Sequence, residues 1–311
     1  MSLRSLRGQV VLVDFWDYTC VNCIRTLPYL REWHRRYSRL GLTIVGVHSP
    51  EFYFGSVSEL VQVAMRDFGI EYPVLLDNDY QVWQAFANRY WPSKYLIDTE
   101  GYMRYFQPGE GGYGETEAAI QMLLRERDAA VSLPQPMPLL RAMDAPGAMM
   151  ACQRPTPELY LGSKRGKIAN DGGMVEDESH DYSYGDQHPE NALVELQGDW
   201  LIRPESAQAR PGRRVSQMRF GYEAAEINLV LASGSESPVA RIFVHEDGLP
   251  LVPEARGEDV QIDALGRTFV EVTRPRMYSL LRRQRFHTGL IELSTESVGV
   301  ELFALTFLSC L

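Results

Sequence analysis

Two short apolar runs near the start of the chain predict the first strands of the fold. Val10 to Phe15 and Leu42 to Val47 are rich in β-branched residues and almost continuously apolar, which is typical of strands buried on both faces. Between them, apolar residues recur at three- and four-residue steps, from Cys23 to Tyr37, and this spacing predicts an amphipathic helix. The order strand, helix, strand predicts two parallel strands joined by a right-handed crossover.

The same two patterns alternate as far as residue 130. Helical spacing predicts three more helices, over Ser56 to Asp67, Tyr80 to Ala87 and Glu115 to Arg127. Lys94 to Asp98 and Tyr102 to Phe106 predict two strands joined by a turn-rich sequence that suits a hairpin. The first part of the chain is therefore predicted to be an α/β domain.

The pattern changes after residue 132. Six prolines interrupt residues 133–157, which predicts a semi-rigid linker. Beyond residue 157 helical periodicity disappears, and short apolar runs alternate with Gly-, Asp-, Ser- and Pro-rich sequence, which predicts an all-β, jelly-roll-like sandwich; the runs are Ile227 to Leu231, Ala240 to Val244, Thr268 to Val272 and Val298 to Phe307. The predicted domains are therefore 1–132 and 158–311, with a linker over 133–157.

Length and charge narrow the class of protein. The chain has 311 residues, 45% of them hydrophobic and 23% charged, which fits a folded protein of two domains. The formal net charge of −10 repels phosphate backbones, so nucleic acid is not an expected partner. No run approaches the roughly 18 apolar residues of a membrane helix, and the first residues do not form a signal peptide. We therefore expect a cytosolic protein or a fragment whose targeting segment lies upstream.

A C-x-x-C pair is the first indication of chemistry. Cys20 and Cys23 lie where the first strand gives way to the first helix, whereas Cys152 and Cys310 stand alone in the sequence. A helix N-terminus stabilises a thiolate through its unpaired N–H groups and its dipole, and Thr19 is the expected N-cap. Cys20 is therefore the predicted nucleophile, and Cys23, one helical turn later, is predicted to resolve a mixed disulfide on Cys20.

Attack by Cys23 requires loss of its thiol proton. Asp14 lies within the apolar strand that leads to the helix, and a carboxylate in such a setting has a raised pKa and exchanges protons near neutral pH. Asp14 is therefore the predicted proton acceptor. The alternative is that its side chain points to solvent at the strand end.

Other uses of a C-x-x-C pair fit this sequence less well. A zinc ribbon needs a second pair or two suitably spaced histidines, and a c-type haem needs a histidine where Ile24 stands. A copper chaperone with His48 as an additional ligand remains an alternative, as does a peroxidase that would recruit Cys152 or Cys310. We predict no resident metal and no cofactor other than a redox-active disulfide between Cys20 and Cys23.

The residues around the pair resemble the thioredoxin superfamily. Val13-Asp14-Phe15-Trp16 stands four residues before the C-x-x-C, and Pro28 follows it by five residues. Trp91-Pro92, followed by Tyr95-Leu96-Ile97-Asp98, is similar to the cis-proline loop of the TlpA-like branch. The resemblance implies that Pro92 is cis, that the Trp91 backbone pairs with an extended substrate segment, and that Trp16 and Tyr18 help to dock the substrate.

Four stretches resemble the C-terminal soluble region of DipZ-type proteins, in which a thioredoxin-like domain precedes a carbohydrate-binding-module-like β-sandwich; they are 18–30, 46–52, 88–92 and 109–111. The resemblance implies a thiol–disulfide oxidoreductase acting on protein disulfides or dithiols, reductive and extracytoplasmic or membrane-associated. It further implies a membrane electron donor of the CcdA/DsbD type, a role in cytochrome c biogenesis and a carbohydrate ligand for the sandwich. The alternative function is a glycan- or protein-binding module with an auxiliary thioredoxin-like domain.

Several further residues are predicted to support the site. Thr19, Asn22 and Pro28 shape the start of the helix, and His48 and Glu51 lie in the loop after the second strand, on the same edge of the sheet as Cys20. Asp17 departs from the family pattern and places a negative charge three residues before Cys20. The glycine-rich segment 107–113 lacks the phosphate-loop spacing and is predicted to form a flexible rim.

In the second domain, four aromatic residues are expected in the core, with a sugar-stacking platform as the alternative; they are Trp200, Tyr222, Phe243 and Tyr278. The acidic stretch from Glu176 to Asp181 is expected to be a solvated loop, with a Ca²⁺ site as the alternative.

Overall fold

The computed structural model of the chain describes residues 3–148, 152–189, 192–212 and 214–310. The chain divides into two compact units, Met1–Ala148 and Met149–Leu311. The division between the units falls inside the segment predicted to be a linker, 133–157.

The first unit combines one sheet with helices. Its strands are β1 (Val10–Trp16), β2 (Leu42–His48), β3 (Val74–Leu76), β4 (Ser93–Ile97) and β5 (Met103–Pro108). Its α-helices are α1 (Val21–Tyr37), α2 (Ser58–Asp67), α3 (Gln81–Ala85) and α4 (Tyr113–Arg127). The predicted α/β class is confirmed. β3 was not predicted, because a strand of three residues is too short to show a period.

The sheet is ordered β3-β2-β1-β4-β5. β1 pairs in parallel with β2, as the strand–helix–strand pattern predicted, and antiparallel with β4. At the centre of β1, Asp14 lies opposite Gly46 on one side and opposite Lys94 on the other. Because successive side chains alternate between faces, Asp14 shares its face with Leu12 and Trp16.

Each face of this sheet has its own cover. On one face, Val11, Val13 and Phe15 form a cluster with neighbouring strand residues and pack against side chains of α3. α4 contacts β1 and α1 contacts β2, and both helices bury an apolar stripe that includes Leu30 and Leu124. The helix that carries the thiols is thus fixed to the sheet along its length.

The proline-rich segment is anchored to the first unit as far as Asp144. The Gln121 side chain donates to the carbonyl of Pro134 at 2.9 Å, and the Leu140 N–H donates to the Tyr29 hydroxyl at 2.7 Å. Asp144 accepts a further hydrogen bond from that hydroxyl. Prolines exclude regular structure here, and hydrogen bonds to α1 and α4 hold the segment instead.

The second unit is all-β, as predicted. Its strands are β6 (Leu159–Tyr160), β7 (Ser179–Tyr182), β8 (Val194–Ile202), β9 (Ala207–Ala209), β10 (Ser216–Ala232), β11 (Ala240–Glu246), β12 (Leu249–Pro250), β13 (Val260–Ile262), β14 (Thr268–Val272), β15 (Arg276–Thr295) and β16 (Glu301–Leu308).

Two long paired strands, β10 and β15, organise this unit. The first half of β10 pairs with β8 and its second half pairs with β16, and the register with β15 shifts between Ala224 and Glu226. Such an irregularity bends a strand and increases its local twist. Trp200, Tyr222 and Tyr278 lie in the core between these strands, at most 1% exposed.

A disulfide joins Cys152 to Cys310, near the two ends of the second unit. The two cysteines are 158 residues apart in sequence. A cross-link over so long a loop removes much of the conformational freedom of the unfolded chain.

Replacing both cysteines, as Cys152→Ser with Cys310→Ser, is expected to lower the free energy of unfolding of the second unit by about 2–4 kcal/mol. Urea unfolding followed by the fluorescence of Trp200 measures the change. Reductant should destabilise the parent protein and leave the double variant unchanged, so equal sensitivity of the two proteins would contradict the expectation.

Candidate active site

Cys20 caps the helix that follows β1. It is the N-cap residue of α1, and its sulfur accepts a hydrogen bond from the backbone N–H of Cys23 at 3.2 Å. The prediction of Thr19 as N-cap is wrong, because the Thr19 hydroxyl donates to Asp17 instead. Cys20 is partly exposed, so a helix N–H points at a sulfur that a substrate can reach.

Cys23 is placed differently, although it is only three residues away. Its side chain is 1% exposed, and neither thiol is bonded to another cysteine. Burial raises the pKa of the Cys23 thiol well above its ordinary value, and Cys20 and the Asp14 charge raise it further. Cys23 therefore keeps its proton near neutral pH unless a base removes it.

Asp14 is buried in the centre of β1, where the sequence placed it. The alternative of a solvent-facing side chain is excluded by its 1% exposure. Burial raises the pKa of Asp14 to about 7, and the Lys94 charge opposes this rise. A carboxyl group with this pKa takes and releases a proton near neutral pH, and the charge of Asp14 acts on the Cys23 thiol.

Lys94 is a residue of this site that was not predicted from the sequence. It lies opposite Asp14 on β4, is completely buried, and its ammonium group donates to the carbonyl of Gly109 at 3.4 Å. Burial lowers the pKa of Lys94, and Asp14 is the first of the anionic groups that oppose this. A charged residue within an apolar strand was the signal that identified Asp14, and the same signal is present in Ser93-Lys94-Tyr95.

Asp17 organises the loop between β1 and α1. Its buried carboxylate accepts hydrogen bonds from the Thr19 N–H at 2.7 Å and from the Glu51 N–H at 3.0 Å. This departure from the family pattern therefore ties the active-site loop to the loop after β2. The predicted supporting residues Thr19 and Glu51 act here through contacts with Asp17.

His48 lies beneath this loop and is fully buried. Its Nε2 accepts a hydrogen bond from the Tyr18 N–H at 3.4 Å, and its ring stacks on the Tyr18 ring at 5.5 Å. Burial lowers the pKa of His48, and the Asp17 carboxylate 3.5 Å away opposes this. Near neutral pH the imidazole is therefore neutral, and its contact with Asp17 is not an ion pair.

The structure corrects the docking role expected of Trp16 and Tyr18. Their side chains are 0% and 3% exposed, so neither presents a surface to a substrate. The continuous apolar pattern of β1 extends through Trp16, and both rings pack around His48. They support the site from inside.

Trp91 and Pro92 form the neighbouring loop. The Trp91–Pro92 peptide bond is cis. The half-buried Trp91 ring packs on Trp83 at 4.3 Å, and its indole N–H donates to the carbonyl of Ser49 at 3.1 Å. The Pro92 carbonyl accepts from the Gly109 N–H at 2.7 Å. This loop is thus joined both to the loop after β2 and to the glycine-rich segment.

The other supporting residues belong to α1. Pro28 lies inside the helix and is exposed, and the Asn22 carbonyl accepts a hydrogen bond from the Thr26 hydroxyl at 2.9 Å. Beside them, Arg25 forms an ion pair with Glu110 of the glycine-rich segment at 3.1 Å, and Glu110 also binds Arg141 at 2.6 Å. Charged contacts therefore fix a segment that was expected to be a flexible rim.

In the second unit, Trp200, Tyr222 and Tyr278 pack in the core, as expected. Phe243 lies outside that core cluster, and the Arg267 guanidinium lies over its ring at 4.3 Å. These four rings therefore form no sugar-stacking platform. Across the described ranges of the chain, no three His, Cys, Asp or Glu residues are placed to hold a metal ion, and this includes the stretch from Glu176 to Asp181.

Comparison with known protein families agrees with this geometry. Residues 1–106 match the AhpC/TSA family, and residues 156–307 match a family described as a thioredoxin-like C-terminal domain. The first unit is thus thioredoxin-like, and the chain is similar to thiol–disulfide oxidoreductases.

Individual relatives match different shares of this chain. Protein DipZ of Mycobacterium bovis is 35% identical over 252 residues, which cover 80% of this chain and 34% of that protein. The chain thus spans about a third of the length of the curated relative it matches. The thiol-disulfide oxidoreductase YkuV of Bacillus subtilis is 28% identical over 38% of this chain and 78% of its own.

Among solved structures, a thiol-disulfide isomerase from Corynebacterium glutamicum is 26% identical and covers 40% of this chain and 86% of its own, with a TM-score of 0.38. In the part of the chain that the structure describes, no helix combines the length and apolar character needed to cross a membrane.

The burial of Asp14 predicts an unusual pH dependence of stability. Its pKa is about 7 in the folded protein against 3.8 for an ordinary aspartate, so between these values only the folded state retains the proton. Rising pH therefore favours unfolding, by on the order of 4 kcal/mol in total. The interval from pH 5 to pH 8 includes about two of the three pH units concerned, so we expect the stability of Asp14→Asn relative to the parent protein to increase by about 2–3 kcal/mol across it.

Urea unfolding at each pH measures that difference. Asp79→Asn, at an exposed aspartate of the same unit, is the matched control, and its stability relative to the parent should not change with pH. A difference for Asp14→Asn that is the same at pH 5 and pH 8 would contradict the assignment.

Proposed function

We propose that this protein exchanges disulfides with protein substrates through Cys20 and Cys23, in the reductive direction. The observation that carries the proposal is the asymmetry of the pair: Cys20 is partly exposed at the N-cap of α1, and Cys23 is buried beside Asp14. An exposed sulfur can attack a substrate, and a buried one can react only with its neighbour. The protein would need no cofactor besides this disulfide.

The first step joins the protein to its substrate. The Cys20 thiolate attacks one sulfur of the substrate disulfide, the substrate S–S bond breaks, and the departing thiolate takes up a proton. Cys20 is then bound to the other substrate sulfur as a mixed disulfide. The loop of Trp91 and Pro92 would present its backbone to the extended substrate segment.

The second step releases the substrate. Cys23 gives its proton to the Asp14 carboxylate, and the new thiolate attacks Cys20, which breaks the mixed disulfide and closes the Cys20–Cys23 bond. The second substrate thiolate leaves and is protonated. Two electrons thus pass to the substrate, whose two thiolates take up one proton from water and one from Asp14, and the protein is left oxidised.

An external dithiol must then reduce the Cys20–Cys23 disulfide. A membrane electron donor of the CcdA/DsbD type would supply those electrons, in keeping with the similarity to DipZ. The Cys152–Cys310 disulfide supports an extracytoplasmic location, because such bonds persist in oxidising compartments and are rare in the cytosol. The alternative, a glycan- or protein-binding module, finds no support in the four aromatic rings considered for it.

The two cysteines should behave differently when each is replaced. Cys23→Ser is expected to accumulate mixed disulfides between Cys20 and substrate proteins, since the resolving thiol is absent, whereas Cys20→Ser should trap none. Non-reducing gels followed by mass spectrometry identify the bond. The Cys152→Ser, Cys310→Ser double variant is the control and should exchange disulfides like the parent.

Retention of parental insulin-disulfide reduction by both Cys20→Ser and Cys23→Ser would refute the proposal. Equilibration of the pair with a glutathione series then measures its reduction potential. A value near that of thioredoxin supports the reductive direction, and one near that of DsbA reverses it.

A further inference from the structure

Three buried polar side chains beside the thiol pair have no hydrogen-bond partner within the described residues. They are the Asp14 carboxylate, through both oxygens, the indole N–H of Trp16 and the hydroxyl of Tyr72. Each residue is at most 1% exposed. Buried polar atoms in native proteins are nearly always paired, so three unpaired groups beside one another require an explanation.

The three groups gather around Gly46. Asp14 is the register partner of Gly46, and Trp16, two residues later on β1, presents its side chain on the same face. A β-carbon added at Gly46 would lie 3.0 Å from the indole nitrogen of Trp16 and 3.3 Å from the Cε2 of Tyr72. Because position 46 carries no side chain, the indole nitrogen of Trp16 and the ring edge of Tyr72 lie directly over the backbone beside Asp14.

Electrostatic coupling links Tyr72 to the reacting groups. Burial raises the pKa of Tyr72 well above its usual value, the Asp14 and Cys23 charges raise it further, and the Arg31 charge opposes them. The Tyr72 hydroxyl is therefore close enough to Asp14 to respond to its charge.

Tyr72 also lies beneath a surface pocket. The pocket, of about 300 Å³, is lined by Tyr72 together with Arg31, Glu71 and His34, whose ring meets the Tyr72 ring edge-on at 5.9 Å. Tyr72 itself is only 1% exposed, and its hydroxyl is buried.

We propose that the Trp16 N–H and the Tyr72 O–H bind the Asp14 carboxylate through a water held over Gly46, and that Tyr72 is thereby a positioning residue for proton transfer from Cys23. Two donors and a carboxylate supply the two to four partners that a buried water takes. Hydrogen bonds of this kind favour the charged carboxylate, which is the form that accepts the proton. The inference rests on the proposed function and deepens it.

Two other titratable groups interact electrostatically with Asp14, in addition to Tyr72. They are Lys94 on β4 and Cys23 on α1. Removing the Tyr72 hydroxyl leaves both in place, so a change in the titration of Asp14 would report the loss of that one donor.

The test follows how fast Cys23 releases a substrate from its mixed disulfide on Cys20, as a function of pH, in single-turnover experiments. The midpoint of this profile is assigned to Asp14 if Asp14→Asn abolishes it. In Tyr72→Phe the midpoint should rise by about half a unit to one unit, since one hydrogen bond to the charged carboxylate is lost. Trp16→Phe should shift it in the same direction.

Tyr37→Phe is the matched control, because Tyr37 is equally buried in the same unit but its hydroxyl donates to Glu117. It should change stability and leave the midpoint where it is. Gly46→Ala, whose methyl group would occupy the proposed water position, provides a further variant if Tyr72→Phe does not fold, and it too should raise the midpoint.

If the parent protein is active and the folded variants Tyr72→Phe, Trp16→Phe and Gly46→Ala all have the same midpoint as the parent, this inference is wrong. The proposed function would then still stand. A parent protein that forms no mixed disulfide would instead refute the proposed function.

Discussion

The energetic cost of burying a carboxylate in the middle of β1 is the constraint on which the active site depends. Asp14 is enclosed by the sheet and by the helix packed on it, and the opposing Lys94 offsets only part of this cost. The result is a carboxyl group whose protonation changes near neutral pH. A better-paired or more exposed aspartate would stay charged at every physiological pH and would be a weaker base for a thiol.

The same helix gives its two cysteines opposite environments. Cys20 lies at the N-cap, where a backbone N–H points at its sulfur, and Cys23 lies one turn further on, under the helix and against the sheet. In the proposed mechanism, position along one helical turn therefore separates attack on the substrate by Cys20 from resolution by Cys23. The Asp17 carboxylate holds this arrangement by joining the loop before the helix to the loop after β2.

The parts of this site that leave a pattern in the sequence could be predicted from it. The two strands, the helix between them, the C-x-x-C pair and Asp14 all follow from periodicity and from the placement of polar residues in apolar runs. Contacts between distant segments could not be predicted from the sequence. Lys94 and Tyr72 lie near Asp14 although they are far from it in the chain. The side chains of Trp16 and Tyr18 are buried, not available to a substrate. In the sequence Asp17 is recognisable only as an added charge. Its hydrogen bonds from the backbone N–H groups of Thr19 and Glu51 show that it joins the loop before α1 to the loop after β2.

The packing of residues 134–144 on α1 and α4 determines where the first unit, which carries Cys20 and Cys23, could be cut from the rest of the chain. A cut after residue 132, where composition alone suggests an end, would remove Arg141 and Asp144. Glu110 would lose one of its two cationic partners, and the Tyr29 hydroxyl would lose its acceptor. The smallest fragment that retains every contact of the first unit described above therefore extends to residue 144.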